Sequence, residues 1–297
     1  MYKHISASSA NHPGRRAVRE LIDSFDVAGP DGSHRCLIHP PLWESTLTFL
    51  RRNPIGRLPA PVVAFTLRRL FLALDYLHTE YIKADNIMFG IQDDTVFSAF
   101  EEQEQQDPSP RKLVDDRTIY LSRELQMPKE WGAPVLCDFG SAVRGNIEHL
   151  EDIQPNIYRA PEVILGAPWS YPVDIWNVGC MIWDIFQGRH LFTGHDPELQ
   201  TYRSRAHLAE IIALLGQPPH ELLHSGRNSH KFFTDAGDLR EGIALPEGTT
   251  LKEQEVNLEG DKQEKFLALM NKMLQWDPSK RLSAKELAED EWIMEYM

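Results

Sequence analysis

Three short motifs decide the fold: Leu136-Cys137-Asp138-Phe139-Gly140, then Tyr158-Arg159-Ala160-Pro161-Glu162, and then Asp174-Ile175-Trp176-Asn177-Val178-Gly179. Each motif alone is short enough to arise by chance. All three in this order and at these intervals are very unlikely to be a coincidence. The specificity therefore lies in the series and not in any one motif.

The composition around these motifs is that of a globular protein. The chain has 297 residues, 42% of them hydrophobic, which is enough to bury a substantial core. No run approaches the ~18 apolar residues that a membrane-spanning helix needs, and the start of the sequence lacks the apolar segment of a signal peptide. We therefore expect a protein of the cytoplasm, the nucleus or both, with no membrane partner. We also expect it to be a monomer.

The net charge and the cysteines indicate which partners and which kinds of site to expect. Lys and Arg total 31 and Asp and Glu total 44, so the net charge is −13. This balance argues against a nucleic-acid partner and favours basic protein partners, although an acidic surface that only keeps a protein in solution is more common. The cysteines, Cys36, Cys137 and Cys180, have no C-x-x-C spacing. We expect reduced thiols, and neither a disulfide framework nor a zinc site.

Turn signals and periodicity predict the elements before the motifs. Gly29-Pro30-Asp31-Gly32 separates two short apolar stretches and predicts two short strands. From Pro59 and Pro61 onward, apolar residues recur at helical spacing and predict an amphipathic helix that ends near His78. Its apolar positions are Val63, Leu67, Leu70, Leu74 and Leu77.

Other segments have distinct signatures. Residues 93–116 are acidic, Gln-rich and interrupted by prolines, which predicts a mobile surface loop. The segment 174–186 is apolar nearly all round and predicts a buried central helix. A stripe at 266–274 predicts another helix, and Ser283-Ala284-Lys285-Glu286 is a capping box that predicts the start of the last helix.

The motif series resembles the large lobe of a eukaryotic protein kinase, with its D-F-G, A-P-E and D-x-W-x-x-G sequences. Glu151-Asp152-Ile153-Gln154 and a long insert before D-F-G are similar, more narrowly, to the serine/arginine-rich protein kinases, particularly fungal-type members. The resemblance extends from about His12 to Trp292. It implies an α+β, protein-kinase-like fold with two parts. An incomplete antiparallel β small lobe at residues 1–42 would hold the end of a regulatory helix and the last strands, and a mostly helical large lobe at 43–297 would carry the acidic insert at 93–116.

The resemblance also implies phosphate chemistry. Such kinases use ATP and Mg²⁺ to phosphorylate serines in basic Arg/Ser-rich segments of splicing factors, which would be the partners here. Asp138 would hold the Mg²⁺ that bridges the β- and γ-phosphates, Asn86 would take the second metal position, and Lys83 would lie against the γ-phosphate. Met88 would form the floor under the adenine. Taken singly, these residues are more ordinarily a turn residue, a solvated lysine and a core methionine, but the joint pattern favours the catalytic site.

Three further residues would shape the large lobe. By resemblance, Glu162 and Arg281 form a buried ion pair that fixes the activation segment, and Asp174 hydrogen-bonds the backbone of the catalytic loop. The plainer alternatives are two unrelated surface charges and a helix N-cap.

Parts of a kinase are not found in the sequence. No two of the 18 glycines are two residues apart, so the sequence has no G-x-G of a phosphate-covering loop. The only lysine before Lys83 is Lys3, and Tyr2-Lys3-His4-Ile5 resembles the end of the regulatory helix and not the strand that carries the ATP-binding lysine. We therefore expect most of the small lobe to be lost.

The catalytic loop is shortened relative to the family pattern. Counting back five residues from Asn86 puts Tyr81 where the catalytic Asp belongs, and a phenol with a pKa near ~10 is a poor proton acceptor at neutral pH. An alternative register offers Glu80 as the base, but Glu80 then stands at the end of the predicted helix. Because loss of the base alone costs about 10²–10⁴ in rate, we expect impaired phosphotransfer.

Three hypotheses for function follow. The chain is an active serine/threonine kinase, or a non-catalytic, pseudokinase-like module whose large lobe binds basic Arg/Ser peptides, or a truncated or mis-spliced product of an active kinase gene. The family supports the first and the missing residues oppose it. Both losses are contiguous blocks with undamaged flanks, whereas gradual decay scatters substitutions, so the sequence favours the third hypothesis as an account of origin.

Overall fold

The computed structural model describes residues 11–29, 31–78, 86–115, 117–140, 142–143, 145, 147–240, 243, 245–246 and 250–297, with the backbone alone for His78 and Asn86. The predicted end of the regulatory helix at 2–5 lies outside these residues, as do Glu80, Tyr81 and Lys83. Within the described chain, no helix combines the length and the apolar character that crossing a bilayer requires.

The N-terminal segment packs against the helical part through a short 3₁₀ helix, Pro13–Ala17. The His12 Nδ1 atom accepts a hydrogen bond from the Gly14 amide at 3.1 Å and caps this helix. The His12 Nε2 atom lies 3.1 Å from the Asp75 carboxylate. A Cβ on Gly14 would lie 1.8 Å from the Leu72 carbonyl oxygen, so only glycine permits this close approach.

The two predicted strands form an antiparallel hairpin, β1 (Asp23–Gly29) and β2 (Gly32–Ile38). In the described chain these two strands form a sheet of their own. The apolar side chains of Phe25, Val27 and Leu37 on this hairpin are exposed. The hairpin is therefore held mainly by its own pairing and not by a shared core.

The next elements are β3 (Leu42–Ser45), α1 (Thr46–Arg52), α2 (Ala60–His78) and β4 (Asn86–Ile91). Ser45 is the N-cap of helix α1, and its side-chain hydroxyl accepts a hydrogen bond from the Thr48 amide at 3.1 Å. The five apolar positions predicted for α2 are all buried, at 3% exposure or less. The predicted amphipathic helix is confirmed, and its end near His78 stays a prediction.

The prediction of a loop at 93–116 is wrong. This segment contains α3 (Thr95–Gln106) and the strand β5 (Arg111–Val114), which pairs with β6 (Arg117–Tyr120). Glutamate and glutamine are good helix formers, and Val96 gives α3 a buried contact. The Glu104 carboxylate also holds the chain after the helix, because it accepts hydrogen bonds from the Ser109 amide at 2.7 Å and from Arg123 at 2.9 Å.

The central sheet has the strand order β3-β4-β7, where β7 is Trp131–Cys137, and its pairings are antiparallel. Aromatic rings join its strands to α1. Ring centroids are 6.4 Å apart for Trp43 and Phe89, 5.2 Å for Phe89 and Trp131, and 5.0 Å for Phe49 and Trp131. The segment before the β1–β2 hairpin is held to the same sheet, since the Arg19 amide donates a hydrogen bond to the Leu136 carbonyl at 2.8 Å.

The rest of the chain is mostly helical. Its elements in order are α4 (Pro161–Leu165), α5 (Pro172–Gln187), β8 (His195–Asp196), β9 (Thr201–Tyr202), α6 (Ser204–Leu215), α7 (His220–Ser225), α8 (Leu251–Gln254), α9 (Gly260–Met273), α10 (Ala284–Ala288) and α11 (Glu291–Met294).

Helix α5 is the buried centre of this region. Trp176 and Trp183 are fully buried, and Trp183 stacks on Phe266 of α9 with centroids 6.4 Å apart. The prediction of a buried central helix is confirmed. The predicted capping box is also present, since the Ser283 hydroxyl accepts from the Glu286 amide at 3.3 Å. It starts α10, and α11 follows, so the prediction that it starts the last helix is wrong by one element.

The described chain thus has the predicted α+β architecture, with a small region of antiparallel strands and a larger helical part. The division between two lobes at residues 42 and 43 stays a prediction.

Candidate active site

The antiparallel pairing of β4 with β7 builds one edge of the candidate site. Asn86, the first residue of β4, pairs with Cys137, the last residue of β7. Asp138 follows Cys137 directly. The backbone therefore brings two of the residues expected to hold metal to the same end of the sheet, although they are 52 positions apart in the sequence.

Asp138 has an unusual backbone conformation. Its φ is 59°, in the left-handed region that few non-glycine residues adopt. The turn leaves Asp138 exposed while Phe139 is buried, and the Gly140 amide donates to the Asp138 Oδ1 atom at 3.3 Å. Strain of this kind is often kept where a side chain must be aimed at a ligand.

Cys137 beside this edge is not a nucleophile candidate. Burial raises the pKa of its thiol to about 11, although Arg19 opposes the shift. The thiol is neutral at physiological pH, and the thiol form is a poor nucleophile.

Met88 lies two residues along β4 from Asn86. Its strand neighbours Ile87 and Phe89 are buried, whereas Met88 on the opposite face is only partly buried. It pairs with Ser45 on one side and Val135 on the other. An accessible apolar side chain here can contact the flat face of a ring.

The donor set suits Mg²⁺ held jointly with phosphate. In the described chain there is no group of three or more His, Cys, Asp or Glu side chains that could cage a metal ion. Mg²⁺ is usually bound by one or two carboxylates with substrate phosphates and water completing its shell. Asp138 at the sheet edge, with the backbone of Asn86 paired to the residue before it, is compatible with that chemistry.

Glu162 and Arg281 are brought together from opposite ends of the helical region. The Arg281 guanidinium donates to both carboxylate oxygens of Glu162, at 2.6 and 2.7 Å. Both side chains are fully buried. Arg281 also donates to the carbonyls of Pro172 at 2.9 Å and Gln275 at 3.0 Å. The pair is a buried bidentate fork and not two surface charges.

The segment Glu151-Asp152-Ile153-Gln154 contacts the second motif directly. The Gln154 side chain accepts from the Ala160 amide at 2.8 Å and donates to the Val173 carbonyl at 2.7 Å. Arg159 donates to the Ile153 carbonyl at 3.1 Å. Two segments singled out by the sequence thus form one hydrogen-bonded unit at the start of α5.

Asp174 lies in the first turn of α5 and is buried. The N-cap of this helix is Tyr171, three residues earlier, so the plain N-cap alternative for Asp174 is wrong. A carboxylate in the first turn is still stabilised by the positive end of the helix dipole.

A further polar cluster surrounds Asp184, a residue that no motif in the sequence singles out. The Tyr158 hydroxyl donates to its Oδ2 atom at 2.5 Å, and the His190 Nδ1 atom lies 2.5 Å from the same oxygen. In the described chain no donor reaches Oδ1 in normal hydrogen-bond geometry, although the Leu191 amide lies near the carboxyl group. The signal in the sequence is an acid within the apolar stretch 178–186 of α5.

Asp184 lines a cavity of about 740 Å³. Apolar side chains make up much of the wall, among them Leu47, Leu50, Met181 and Ile185. Burial raises the pKa of Asp184, and the hydrogen bonds from Tyr158 and His190 oppose this shift. A carboxyl group in the wall of such a cavity can pair with the cationic head of a long side chain.

Comparison with known proteins shows which family the chain resembles. The protein kinase domain family matches residues 125–293 of the chain. A serine/threonine protein kinase of Aspergillus fumigatus is 42% identical over 296 residues, which cover 98% of this chain and 73% of that protein. Serine/threonine-protein kinase SRPK of Physarum polycephalum is 25% identical, with 96% and 73% covered. Dual specificity protein kinase CLK2 of Homo sapiens is 28% identical, with 90% and 49% covered.

The family match contains the three motifs and the Glu162–Arg281 pair, and it spans more than half of the chain. The Aspergillus fumigatus kinase aligns with nearly all of it. The chain therefore belongs to the protein kinase family and is related to its serine/threonine kinases.

Proposed function

We propose that this chain is a serine/threonine protein kinase of the serine/arginine-rich type whose phosphotransfer is strongly impaired. It acts in the cytoplasm or nucleus and recognises basic Arg/Ser-rich protein segments. The observation that carries the proposal is the β4–β7 edge, where Asp138 follows the residue paired with Asn86.

ATP and Mg²⁺ are the ligands that this edge suits. Asp138 and Asn86 would hold the metal, Lys83 would supply positive charge to the γ-phosphate, and Met88 would lie under the adenine. Bound Mg²⁺ neutralises phosphate charge that develops during transfer. Asp138 is exposed at the strand end, so its carboxylate is accessible to a metal–phosphate ligand.

Tyr81 is the reason for the expected impairment. It occupies the position of the catalytic Asp by count from Asn86, and a neutral phenol accepts a proton poorly at pH 7. Residues that only position ATP and the peptide cannot take the proton from the acceptor hydroxyl. The lack of a base lowers the rate by about 10²–10⁴.

Basic segments are proposed as substrates on two grounds. The chain carries a net charge of −13, and one of its relatives is named SRPK. Asp184 supplies a local contact for an arginine side chain, because its side chain lines a mostly apolar cavity that accommodates an aliphatic stem.

Peptide binding tests this recognition. A fluorescently labelled Arg/Ser-repeat peptide is titrated with the full chain and with the variants Asp184→Asn and Asp26→Asn. We expect Asp184→Asn to weaken binding about tenfold, which corresponds to ~1.4 kcal/mol, and Asp26→Asn, on the exposed hairpin, to bind like the wild type. We also expect affinity to fall steeply with salt. Absent or salt-independent binding, or equal loss in both variants, would refute the proposal.

A further inference from the structure

A second groove lies at the other end of β4 from the candidate active site. It has a volume of about 1000 Å³ and runs between the Pro13–Ala17 helix, the chain at 40–42, and α2. Gly90 and Ile91 line it, four and five residues along β4 from Asn86. At the rise of a β-strand, this places the groove roughly 13 Å or more from Asp138.

Arginine dominates the lining of this groove. Arg15, Arg16, Arg19, Arg68 and Arg69 all face it, and Glu20 is the one carboxylate among its described lining residues. The chain as a whole is strongly acidic, with a net charge of −13. The lining of the groove is therefore positively charged, whereas the protein as a whole is negatively charged.

These arginines are poorly neutralised within the described chain. Their ion pairs amount to a long contact of 3.8 Å between Arg68 and Glu289. Arg19 donates to the Pro40 carbonyl at 3.4 Å, and Arg69 donates to the carbonyls of Pro134, at 3.2 Å, and Arg16. The Nε atoms of Arg19 and Arg68 are buried and have no hydrogen-bond partner in the described structure.

The electrostatics of Arg69 show the same lack of counter-charge. Burial lowers the pKa of its guanidinium, and the neighbouring Arg16 lowers it further. Like charges held this close repel one another, so an anion in the groove would relieve the repulsion. Guanidinium groups bind carboxylates by paired, charge-assisted hydrogen bonds.

The shape and remaining lining favour a peptide. Leu21, Leu72, Ile91 and Val135 line the groove together with the arginines, so it offers apolar as well as cationic contacts. Its described lining residues include no Phe, Tyr or Trp on which bases could stack. Nucleic acid would also meet the acidic surface outside the groove.

We propose that this groove docks an acidic segment of a partner protein. Asp or Glu side chains of that segment bind the arginines, and its apolar side chains contact Leu72 and Ile91. The segment is distinct from the basic substrates proposed above, since a basic peptide would be repelled here. Docking at this groove does not require phosphotransfer.

Fluorescence anisotropy with a labelled peptide of alternating Glu and Leu tests the proposal on the full chain. The variant Arg15→Glu/Arg16→Glu reverses two charges whose side chains make no hydrogen bond in the described structure. The matched control Arg51→Glu/Arg111→Glu makes the same charge change at exposed positions away from the groove. We expect the groove variant to weaken binding at least ~10-fold and the control to leave it within ~2-fold.

Three results would overturn the proposal: no binding by the wild type, equal weakening in both variants, or unchanged binding when Gln replaces Glu in the peptide. Stronger binding of a phosphopeptide or an RNA oligonucleotide than of the Glu peptide would overturn it as well. Circular dichroism checks that each variant is folded. Should the reversal variant fail to fold, Arg15→Gln/Arg16→Gln gives the same comparison with a smaller expected loss.

Discussion

At the residue scale, Arg281 is the point where distant segments of the helical region meet. It binds Glu162 of the second motif, the backbone at Pro172 at the start of α5, and the backbone at Gln275 after α9. Its guanidinium also lies 5.2 Å from the ring of Trp176. A buried pair of this kind adds little net stability over an apolar pair, but losing one partner leaves a buried charge.

Removal of Arg281 is predicted to destabilise the protein strongly. We expect Arg281→Met to lower the free energy of unfolding by ~3–5 kcal/mol, because Glu162 is then buried without a partner. Urea denaturation followed by tryptophan fluorescence measures the change.

The double variant Glu162→Leu/Arg281→Met separates charge from packing. It removes both charges, so it should lose less stability than Arg281→Met alone. Arg35→Met breaks an ion pair with Asp26 whose side chains are 60% and 49% exposed, and should change stability little. A double variant less stable than the single one contradicts the buried-charge explanation.

Asp184 is predicted to make stability depend on pH. Burial raises its pKa above the ordinary 3.8, so the folded protein holds this proton more tightly than the unfolded chain. The stability of the wild type should therefore fall relative to Asp184→Asn as pH rises from 3.8 through the raised pKa, and the difference should then level off.

Urea denaturation at a series of pH values measures this difference. Tyr158→Phe removes a hydrogen bond that lowers the pKa of Asp184, so it should extend the fall to higher pH. A difference between wild type and Asp184→Asn that is constant or shrinks with rising pH is incompatible with the assignment.

At the scale of elements, the β1–β2 hairpin and helix α5 stand at opposite extremes. The hairpin pairs with no other strand in the described sheets and exposes Phe25 and Val27, whereas α5 is enclosed on nearly all sides. Local opening costs least where few side chains are buried. We expect the hairpin amides to exchange with deuterium at least ~100-fold faster than those of α5.

Hydrogen exchange followed by mass spectrometry measures both elements in one sample. Peptides covering 23–38 report on the hairpin, and peptides covering 176–186 report on α5. Protection of the hairpin equal to that of α5 would mean that its exposed face is covered in solution.

Periodicity predicted the elements whose faces are decided by burial. The stripe in α2 and the apolar run of α5 were correct because tertiary burial agrees with their local pattern. The prediction of a loop for the insert at 93–116 was wrong, because a composition rich in Glu and Gln suits a solvated helix as well as a loop. Asp174 similarly has the residue type of an N-cap, but its position in α5 depends on where the preceding chain turns.

At the scale of the whole molecule, two charge environments lie apart on one chain. Asp184 places a carboxyl group in the wall of a mostly apolar cavity, and the arginine-lined groove offers cations at the far end of β4. Motifs predicted the D-F-G edge because its residues are neighbours or follow a known spacing. The groove and the Asp184 site are formed by residues from separate segments of the chain. Their proximity depends on the tertiary fold, so no spacing between residues in the sequence predicts it.

Phosphotransfer by the full chain tests the central claim most directly. Transfer of labelled γ-phosphate from ATP to an Arg/Ser-rich peptide is measured for the wild type and for Asp138→Ala, with and without Mg²⁺. Because the proposed function puts Tyr81 at the position of the catalytic base, we predict incorporation at background, equal in both proteins. Mg²⁺-dependent incorporation by the wild type that disappears in Asp138→Ala would contradict the account.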